Sequence, residues 1–326
     1  MNTLKIQDYQ DLKVVALAGG VGGAKVARGL RLFLDPRHLS VVVNTGDDFE
    51  LLGLQICPDL DSVCYGMAGL NDPMRGWGLE GETWKVFQQL KSLGGPDWFQ
   101  LGDKDLVTHL LRTQFLREGK TLTEATVNLC QQWGIKASVF PMSNEPCPTK
   151  VKLQDGRVLA FQEYFVKEAC RPLVESIILP EPGSVPPTPE VLEALAACDL
   201  IVICPSNPWL SIDPILSFPE IHALVEDKPV VAVSPFIGGT AVKGPAAKMA
   251  AELGLGTDPQ ALLQHYGGLV GALLLDLQDA EQPSEPNRQG IISKRSNILM
   301  KDDRDKRMVA VEVLNLGLEL VGKCSK

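Results

Sequence analysis

The chain has 326 residues, of which 45% are hydrophobic, and a formal net charge of −9. This apolar content is sufficient for a large folded core, which excludes disorder as the general state of the chain. The acidic balance and the lack of a dense Lys/Arg block argue against duplex nucleic acid or a membrane as partner, because both bind a basic face. A small-molecule ligand is therefore expected.

Targeting signals and cysteine chemistry point to the cytoplasm. The N-terminal segment MNTLKIQDYQDLK is polar and lacks the apolar core of a secretory signal. The longest apolar stretch, 269–275, is too short to cross a bilayer. The eight cysteines are scattered without a C-x-x-C pair, which predicts reduced thiols rather than disulfides or a zinc site.

Short runs rich in Val and Ile recur along the chain, and each is followed by a turn and a helical pattern. This alternation predicts parallel strands joined by crossover helices. We therefore expect an α/β fold with a Rossmann-like, mostly parallel sheet and helices on both faces. The predicted strands are 14–18, 41–44, 200–204, 230–234 and 272–276.

Two regions interrupt this alternation. Residues 66–134 contain two or three helical patterns without a clear strand, which predicts a helical insertion. Within 147–170, an Asp-Gly turn between TKVKLQ and RVLAFQEYF predicts a small β-hairpin. We expect both to belong to one nucleotide-binding domain over 12–326, preceded by a flexible N-terminus over 1–11.

A glycine-rich turn, ALAGGVGGAKVARGL, joins the first predicted strand to a helix. Backbone N–H groups and the helix dipole at such a turn bind anions, most often phosphate. The turn is not a P-loop, because Lys25 follows Ala24 and precedes Val26, and it matches G-x-G-x-x-G only in part. A lysine in the first helical turn favours a diphosphate, although a plain turn with a solvent-facing lysine would look the same. The candidate phosphate-binding residues are Gly19, Gly20, Gly22, Gly23 and Lys25.

Two later turns have related chemistry. Gly238-Gly239 and Lys243-Gly244 lead into a helix that is predicted to begin at Pro245, which leaves the preceding amides available to an anion. Ser206 and Asn207 lie in a turn flanked by prolines, which could read a nucleotide base or merely end a strand.

Acidic residues cluster where the second predicted strand ends, in NTGDDFE and CPDLDSV. Ligands of open α/β sheets bind at this carboxyl edge. Carboxylates that face a phosphate repel it unless a cation lies between them, and Mg²⁺ suits carboxylate and phosphate oxygens. We expect Asp47, Asp48 and Asp61 to bind Mg²⁺, with Asp59 as an additional partner; solvated loop acids are the alternative.

The segment LGDKDLVTHLLR places Asp103, Lys104 and Asp105 at the start of a helix, with His109 one turn later on the face of Asp105. We expect Lys104 to contact a substrate phosphate or carboxylate. His109 is predicted to be a packing or capping residue.

Eight segments in order resemble the 2-phospho-L-lactate transferase family, whose members assemble the deazaflavin coenzyme F-420. They span residues 14 to about 250 and read GGVGGAK, NTGDD, PDLD, LGDKD with His109, PMSNEP, FQEYFV, PSNP and SPFIGG…KGPAAKM. The resemblance implies transfer of a 2-phospholactyl or enolpyruvyl phosphate group to the ribityl hydroxyl of 7,8-didemethyl-8-hydroxy-5-deazariboflavin (Fo). The implied donor is lactyl-2-diphospho-5′-guanosine or its enolpyruvyl counterpart, GMP is released, and a homodimer is implied.

The resemblance also implies roles for single residues. It places Fo near Asp61 and Lys104. The need of phosphoryl transfer for charge neutralisation assigns Asp48 and Asp61 to the metal or the attacking hydroxyl. Lys104 stands where many relatives have arginine, which keeps the charge but loses the two-pronged geometry. Ser206, Asn207 and the 238–244 turn would hold the guanosine diphosphate half. An apolar wall for Fo could come from Trp77, Trp84 or Phe165.

Two other functions fit parts of the sequence. A non-catalytic nucleotide-sugar-binding regulatory protein would share the glycine turn, but NTGDDFE and LGDKD favour the enzyme. An NAD-dependent dehydrogenase would use Gly20-x-Gly22 and Asp47, but Lys25 and the second Lys-Gly turn count against it.

Overall fold

The computed structural model describes residues 9, 11–241, 244–279 and 290–324. The strands are β1 (Val14–Ala18), β2 (Leu39–Val43), β3 (Phe49–Leu51), β4 (Leu54–Ile56), β5 (Ser138–Pro141), β6 (Lys150–Leu153), β7 (Val158–Ala160), β8 (Val174–Ile178), β9 (Leu200–Ile203), β10 (Val230–Val233), β11 (Phe236–Ile237), β12 (Thr240–Ala241), β13 (Ala272–Asp276) and β14 (Ile292–Ser296). The α-helices are α1 (Gly20–Arg31), α2 (Pro58–Ala68), α3 (Lys85–Ser92), α4 (Asp103–Arg117), α5 (Leu122–Gln132), α6 (Pro189–Ala197), α7 (Asp213–Leu216), α8 (Pro219–Glu226), α9 (Ala246–Glu252), α10 (Pro259–His265) and α11 (Asp303–Cys324).

The central sheet has seven parallel strands within the described residues, in the order β14-β13-β10-β9-β1-β2-β5. The chain first builds outward from β1 through β2 to β5, and then returns to the other side of β1 with β9. Strand order therefore reverses between β1 and β9. In open α/β sheets the crevice at such a reversal, beyond the carboxyl ends of the strands, is where ligands bind.

Apolar cores lie on both faces of the sheet because successive side chains of a strand point to opposite sides. In β1, Val14 and Ala16 pack with α1, α2, α5 and α11, whereas Val15 and Leu17 pack with α6, α8 and α10. All five β1 residues are buried, as expected for a central parallel strand. The predicted α/β class, with a mostly parallel sheet and helices on both faces, is confirmed.

Strand prediction succeeded in the middle of the sheet and failed at its edges. The predicted strands 14–18 and 272–276 coincide with β1 and β13, and the other three predicted strands are shifted by one or two residues. The edge strands β5 and β14 were not predicted. Both are partly exposed, and β14 reads ISKRS, so neither carries the apolar run that marks a strand buried on both faces.

The predicted hairpin forms between β6 and β7, and β8 adds a third antiparallel strand. Its second strand ends at Ala160, so the prediction that FQEYF continues the strand is wrong. Glu163–Lys167 is instead a π-helical turn. Helical spacing brings Phe161 and Phe165 onto one side, where their rings stack with centroids 5.5 Å apart.

Four helices, α2, α3, α4 and α5, lie between sheet strands β2 and β5 in chain order, and the last three fall within residues 66–134. Helix α5 packs on β5, and α4 packs on the β3–β4 hairpin. That hairpin was not predicted; its turn has positive φ at Leu52 and Gly53. Among the described residues, no helix combines the length and the apolar character needed to span a membrane.

Helix α1 packs so closely on the turn after β9 that position 22 has no room for a side chain. A Cβ atom at Gly22 would overlap the backbone carbonyl oxygen of Pro205. We expect Gly22→Ala to lower the free energy of unfolding by about 2 to 3 kcal/mol in urea denaturation. Gly322→Ala is a matched control, because Gly322 is also helical but has no heavy atom within 4 Å of the position that an alanine methyl group would occupy; its effect should stay below about 1 kcal/mol. Equal losses for both variants would contradict this account.

Candidate active site

A cleft of about 840 Å³ lies at the carboxyl edge of the sheet, and we call it the central cleft. It is lined by the start of α1, the start of α2, the turns after β9 and β10, and the segment Ile298 to Met300. Parts of α4 and of the π-helical turn complete its wall. The strand reversal between β1 and β9 thus opens directly into this cleft.

The glycine turn at the start of α1 is tied to the turn after β9 by one serine. The Gly19 N–H donates to Ser206 Oγ over 2.9 Å, and Ser206 Oγ donates to the Gly19 carbonyl oxygen over 2.8 Å. A Cβ at Gly23 would lie 2.6 Å from Ser206 Oγ. Gly22 and Gly23 therefore permit close packing of two turns, and Gly19, Gly20 and Gly22 line the cleft.

The carboxylate of Asp59 lies over the N-terminal end of α1. It accepts hydrogen bonds from Asn44 Nδ2 at 2.9 Å, from Ser211 Oγ at 3.2 Å and from the Gly20 backbone. A Cβ at Gly19 would overlap the same carboxylate. Burial raises the pKa of Asp59 to about 6.

Asp47 is a second buried acid in the cleft. Its Oδ2 accepts from Gln162 Nε2 at 2.8 Å, and its Oδ1 has no hydrogen-bond partner among the described residues. Burial, together with the nearby Asp59 and Asp48 carboxylates, raises the pKa of Asp47 well above its ordinary value. Burial also raises the pKa of Asp48, which does not line the cleft. Within the described chain no Lys or Arg forms an ion pair with Asp47 or Asp59.

Asp61 has the opposite surroundings, because a buried arginine neutralises it. Arg112 of α4 approaches with both terminal nitrogens: Nη1 donates to Asp61 Oδ2 over 3.1 Å, and Nη2 donates to Oδ1. Burial alone would lower the pKa of Arg112, but the Asp61 carboxylate holds it well above the usual value. This two-pronged pairing fixes the orientation of the Asp61 carboxylate.

His109 lies beside this pair and also lines the cleft, with a relative exposure of 2%. Donor atoms of Asp61, Asp105 and His109 lie within 4.8 Å of one another, which is a spacing that a metal ion could use. The Arg112 guanidinium, however, contacts both Asp61 and His109 Nδ1, and its positive charge opposes a cation there. His109 was predicted to be a packing or capping residue, and only its spacing from Asp105 indicated that the two share a helix face.

Of the three lysines predicted to contact substrate, one lines the cleft, one lies outside its lining and one falls outside the described residues. Lys25 lines the cleft, and its Nζ donates to the Met300 carbonyl oxygen over 2.7 Å. Lys104 is exposed, lies outside the lining and donates to the Glu80 carbonyl oxygen over 2.7 Å. Lys243 falls outside the described residues.

The second glycine turn lines the cleft at Ala241 and Gly244. Gly238 and Gly239 form the turn between β11 and β12 and are not among the lining residues, whereas Gly244 is. Pro245 is the N-cap of α9, so the helix begins at Ala246, one residue later than predicted. Asn207 also lines the cleft; its Oδ1 accepts from the backbone of Trp209 and Leu210, at 3.1 and 3.3 Å.

Several aromatic rings line the central cleft. Trp77 and Phe165 line it, whereas Trp84 does not but contacts Trp77 edge to face at 6.2 Å between centroids. Trp98 and Phe99 also line the cleft and were missed, because a loop after Gly-Gly-Pro-Asp carries no periodic signal of where its side chains point.

Comparison with known proteins decides the family. The family model for 2-phospho-L-lactate transferase CofD matches residues 14–315. The chain belongs to the CofD family. It is therefore an enzyme of the transferase class, and the regulatory-protein and dehydrogenase alternatives are set aside.

Relatives of this CofD-family chain extend over nearly its whole length. A phosphoenolpyruvate transferase from Kitasatospora aureofaciens is 40% identical over 299 residues, covering 89% of this chain and 93% of that protein. Another from Streptomyces coelicolor is 37% identical over 316 residues, covering 95% and 99%. A crystal structure of a UPF0052-family protein from Bacillus halodurans has a TM-score of 0.60 at 16% identity, covers 93% of this chain and 100% of that one, and supports the fold alone.

The raised pKa of Asp59 makes the stability of this CofD-family chain depend on pH. Since the folded pKa of about 6 exceeds the ordinary value of 3.8, the stabilisation from the bound proton is present below about pH 4 and is lost as the pH rises through 6. We expect Asp59→Asn, measured by urea unfolding, to gain about 2 kcal/mol relative to the wild type between about pH 4 and about pH 8. Ser62→Ala, on the same helix, serves as a control without this pH dependence. A constant difference between Asp59→Asn and the wild type would contradict the prediction.

Proposed function

We propose that the chain transfers a phosphate-linked three-carbon acid group to the ribityl hydroxyl of Fo. The donor is a guanosine diphosphate-linked lactyl or enolpyruvyl compound, and GMP is the leaving group. The observation that carries this proposal is that a single cleft joins a phosphate-type turn to an aromatic wall and an arginine-paired carboxylate. A volume of about 840 Å³ suits two small ligands side by side.

The enolpyruvyl donor is the form we favour. The relatives at 40% and 37% identity over most of the chain are phosphoenolpyruvate transferases, whereas the lactyl form is in the family's description. The two donors differ by one unsaturated carbon unit, so a direct comparison of rates with both donors decides between them.

The donor's diphosphate fits the α1 side of the cleft. Phosphoryl transfer asks a protein mainly for positioning and for neutralising charge on oxygen atoms. The amides at the start of α1, the Lys25 side chain and Gly244 can supply this, and Lys243 remains a candidate. Asn207 Oδ1 accepts a hydrogen bond from the backbone, which orients the amide group. Its Nδ2 has no hydrogen-bond partner among the described residues. This amide group can donate to an acceptor atom of the guanosine diphosphate half.

The acidic residues support one Mg²⁺ site, at Asp47 with Asp59 beside it. Both carboxylates are buried without a cationic partner among the described residues, and Asp47 Oδ1 offers an unused oxygen. Oxygen ligands of this kind suit Mg²⁺, which when bound would neutralise charge on the diphosphate. Asp48 does not line the cleft, but its carboxylate acts electrostatically on Asp47 and adds to the negative charge that attracts a cation.

Asp61 takes a different role in this proposal. Arg112 already satisfies both of its carboxylate oxygens, so a further cation is not needed there. We therefore assign Asp61 to the attacking ribityl hydroxyl, to which a fixed carboxylate can still offer its remaining lone pairs. The deazaflavin ring would stack on Trp77 or Phe165, which line the same cleft. Lys104 is assigned at most a role at the rim of the cleft.

Location and assembly are part of the same proposal. The cysteines found free in the described residues support a reducing compartment, the cytoplasm. A homodimer is proposed on the family resemblance, and light scattering of the purified protein measures it directly.

Release of GMP tests the function. Purified enzyme, Fo, the guanylated enolpyruvyl donor and Mg²⁺ should together yield GMP and a phosphorylated deazaflavin in chromatography, and omission of any one component should abolish both. Turnover of a nicotinamide cofactor, or tight binding of a UDP-sugar without any reaction of Fo, would overturn the proposal.

Two variants separate the metal from the hydroxyl. We expect Asp47→Asn to raise the Mg²⁺ concentration for half-maximal rate about tenfold, because it removes a ligand oxygen charge. Asp61→Asn should lower the maximal rate about 100-fold and leave that Mg²⁺ concentration unchanged. The measurement is the initial rate of GMP release against Mg²⁺, with circular dichroism as the check on folding. A shift of Mg²⁺ dependence in Asp61→Asn alone would reverse the assignment.

A further inference from the structure

The contact between Arg112 and His109 determines which ring nitrogen of the histidine carries the proton. Arg112 Nη1 lies 3.3 Å from His109 Nδ1. A guanidinium can only donate, so Nδ1 is the acceptor in this hydrogen bond. Asp61 Oδ2 is 3.6 Å from Nδ1, which is too far for it to accept a hydrogen bond from that nitrogen. The hydrogen-bond network therefore assigns the ring proton to Nε2.

The Nε2–H group has no hydrogen-bond partner among the described residues. Asp105 Oδ1 lies 3.5 Å from Nε2, so it attracts the histidine only weakly; against the effect of burial, this attraction helps to lower the pKa of Asp105. The same oxygen accepts a hydrogen bond from the Tyr65 hydroxyl at 2.6 Å. Buried donors are nearly always satisfied in folded proteins. Because His109 lines the central cleft, an acceptor atom of a bound ligand can complete this group.

The local charges indicate which ligand supplies that acceptor. Asp61 and Asp105 flank His109, and the Arg112 guanidinium offsets only one of these two negative charges, so a phosphate placed here would face a net negative charge. An uncharged oxygen meets no such repulsion. The lining of the same cleft also includes Trp77 and Trp98, whose rings suit a flat aromatic ligand with hydroxyl groups.

We propose that His109 is a substrate-binding residue, whose Nε2–H donates a hydrogen bond to an uncharged oxygen of the Fo molecule, with Arg112 fixing the tautomer. The inference rests on the proposed function, because it takes Fo as the acceptor substrate. It gives Arg112 two tasks, since the same guanidinium neutralises Asp61 and orients the histidine that binds beside it.

Two substitutions separate the two ring nitrogens. In His109→Asn, the shorter amide can replace Nδ1 as acceptor from Arg112 but cannot reach the position of Nε2. In His109→Gln, the longer amide can place a donor near Nε2. The full-length enzyme with Mg²⁺ is titrated with Fo and, separately, with GDP, by isothermal calorimetry. Loss of one neutral hydrogen bond should weaken Fo binding about tenfold in His109→Asn and less than about threefold in His109→Gln, with GDP affinity unchanged in both.

The outcomes distinguish this inference from the proposed function. Failure of the wild type to bind Fo would overturn the proposed function and the inference with it. Wild-type Fo binding with equal affinities for the two variants, or weaker binding by His109→Gln than by His109→Asn, would overturn the inference alone.

A measurement on the wild type covers the case in which a variant does not fold. The chain has four histidines, so nitrogen-15 spectra of the imidazole rings remain assignable. We expect one ring with an unprotonated Nδ1 and a protonated Nε2, whose Nε2 resonance shifts when Fo is added. A proton on Nδ1, or an unchanged Nε2 resonance at saturating Fo, would contradict the proposal.

Discussion

The two carboxylates at the start of α2 have opposite electrostatic surroundings, and the chemistry of the cleft depends on that difference. Asp61 is held by the buried guanidinium of Arg112, whereas Asp59 receives only neutral donors. Both lie in the first turn of α2, two residues apart, so they point in different directions around the helix. The helix thus presents one neutralised acid and one acid that still needs a positive charge. The proposed separation of hydroxyl and metal follows from this.

Burial of unpaired acids is unfavourable for the folded protein. Asp47 and Asp59 lie in the cleft with raised pKa values because burial disfavours their charged forms. A protein selected only for stability would not place them there, whereas a site that binds a cation together with a phosphate needs them. The same reasoning explains why Asp47 Oδ1 and His109 Nε2 are buried without partners in the described chain.

Tight packing of the turns after β1 and β9 holds the residues of the cleft in fixed positions. The Ser206 hydroxyl joins the turns after β1 and β9, and the glycines of α1 allow the two turns to approach each other. A group that must stabilise a transition state needs this kind of support, because small displacements weaken catalysis strongly. Gly22 and Gly23 therefore allow the two turns to pack closely. This packing in turn fixes the positions of the backbone amides at the start of α1 that can bind a phosphate.

The sequence by itself determined the central strands, the glycine turn, the order of the motifs and through them the family. These features depend on local periodicity and on the chemistry of adjacent residues, which a linear pattern records. Tertiary structure decided the partner of each acid: Asp61 pairs with Arg112, 51 residues away, and Asp47 receives only a neutral hydrogen bond from Gln162, 115 residues away. It also turned FQEYF into a helical turn and brought His109 to the cleft. Such outcomes depend on which distant side chains meet, and neither periodicity nor propensity encodes that.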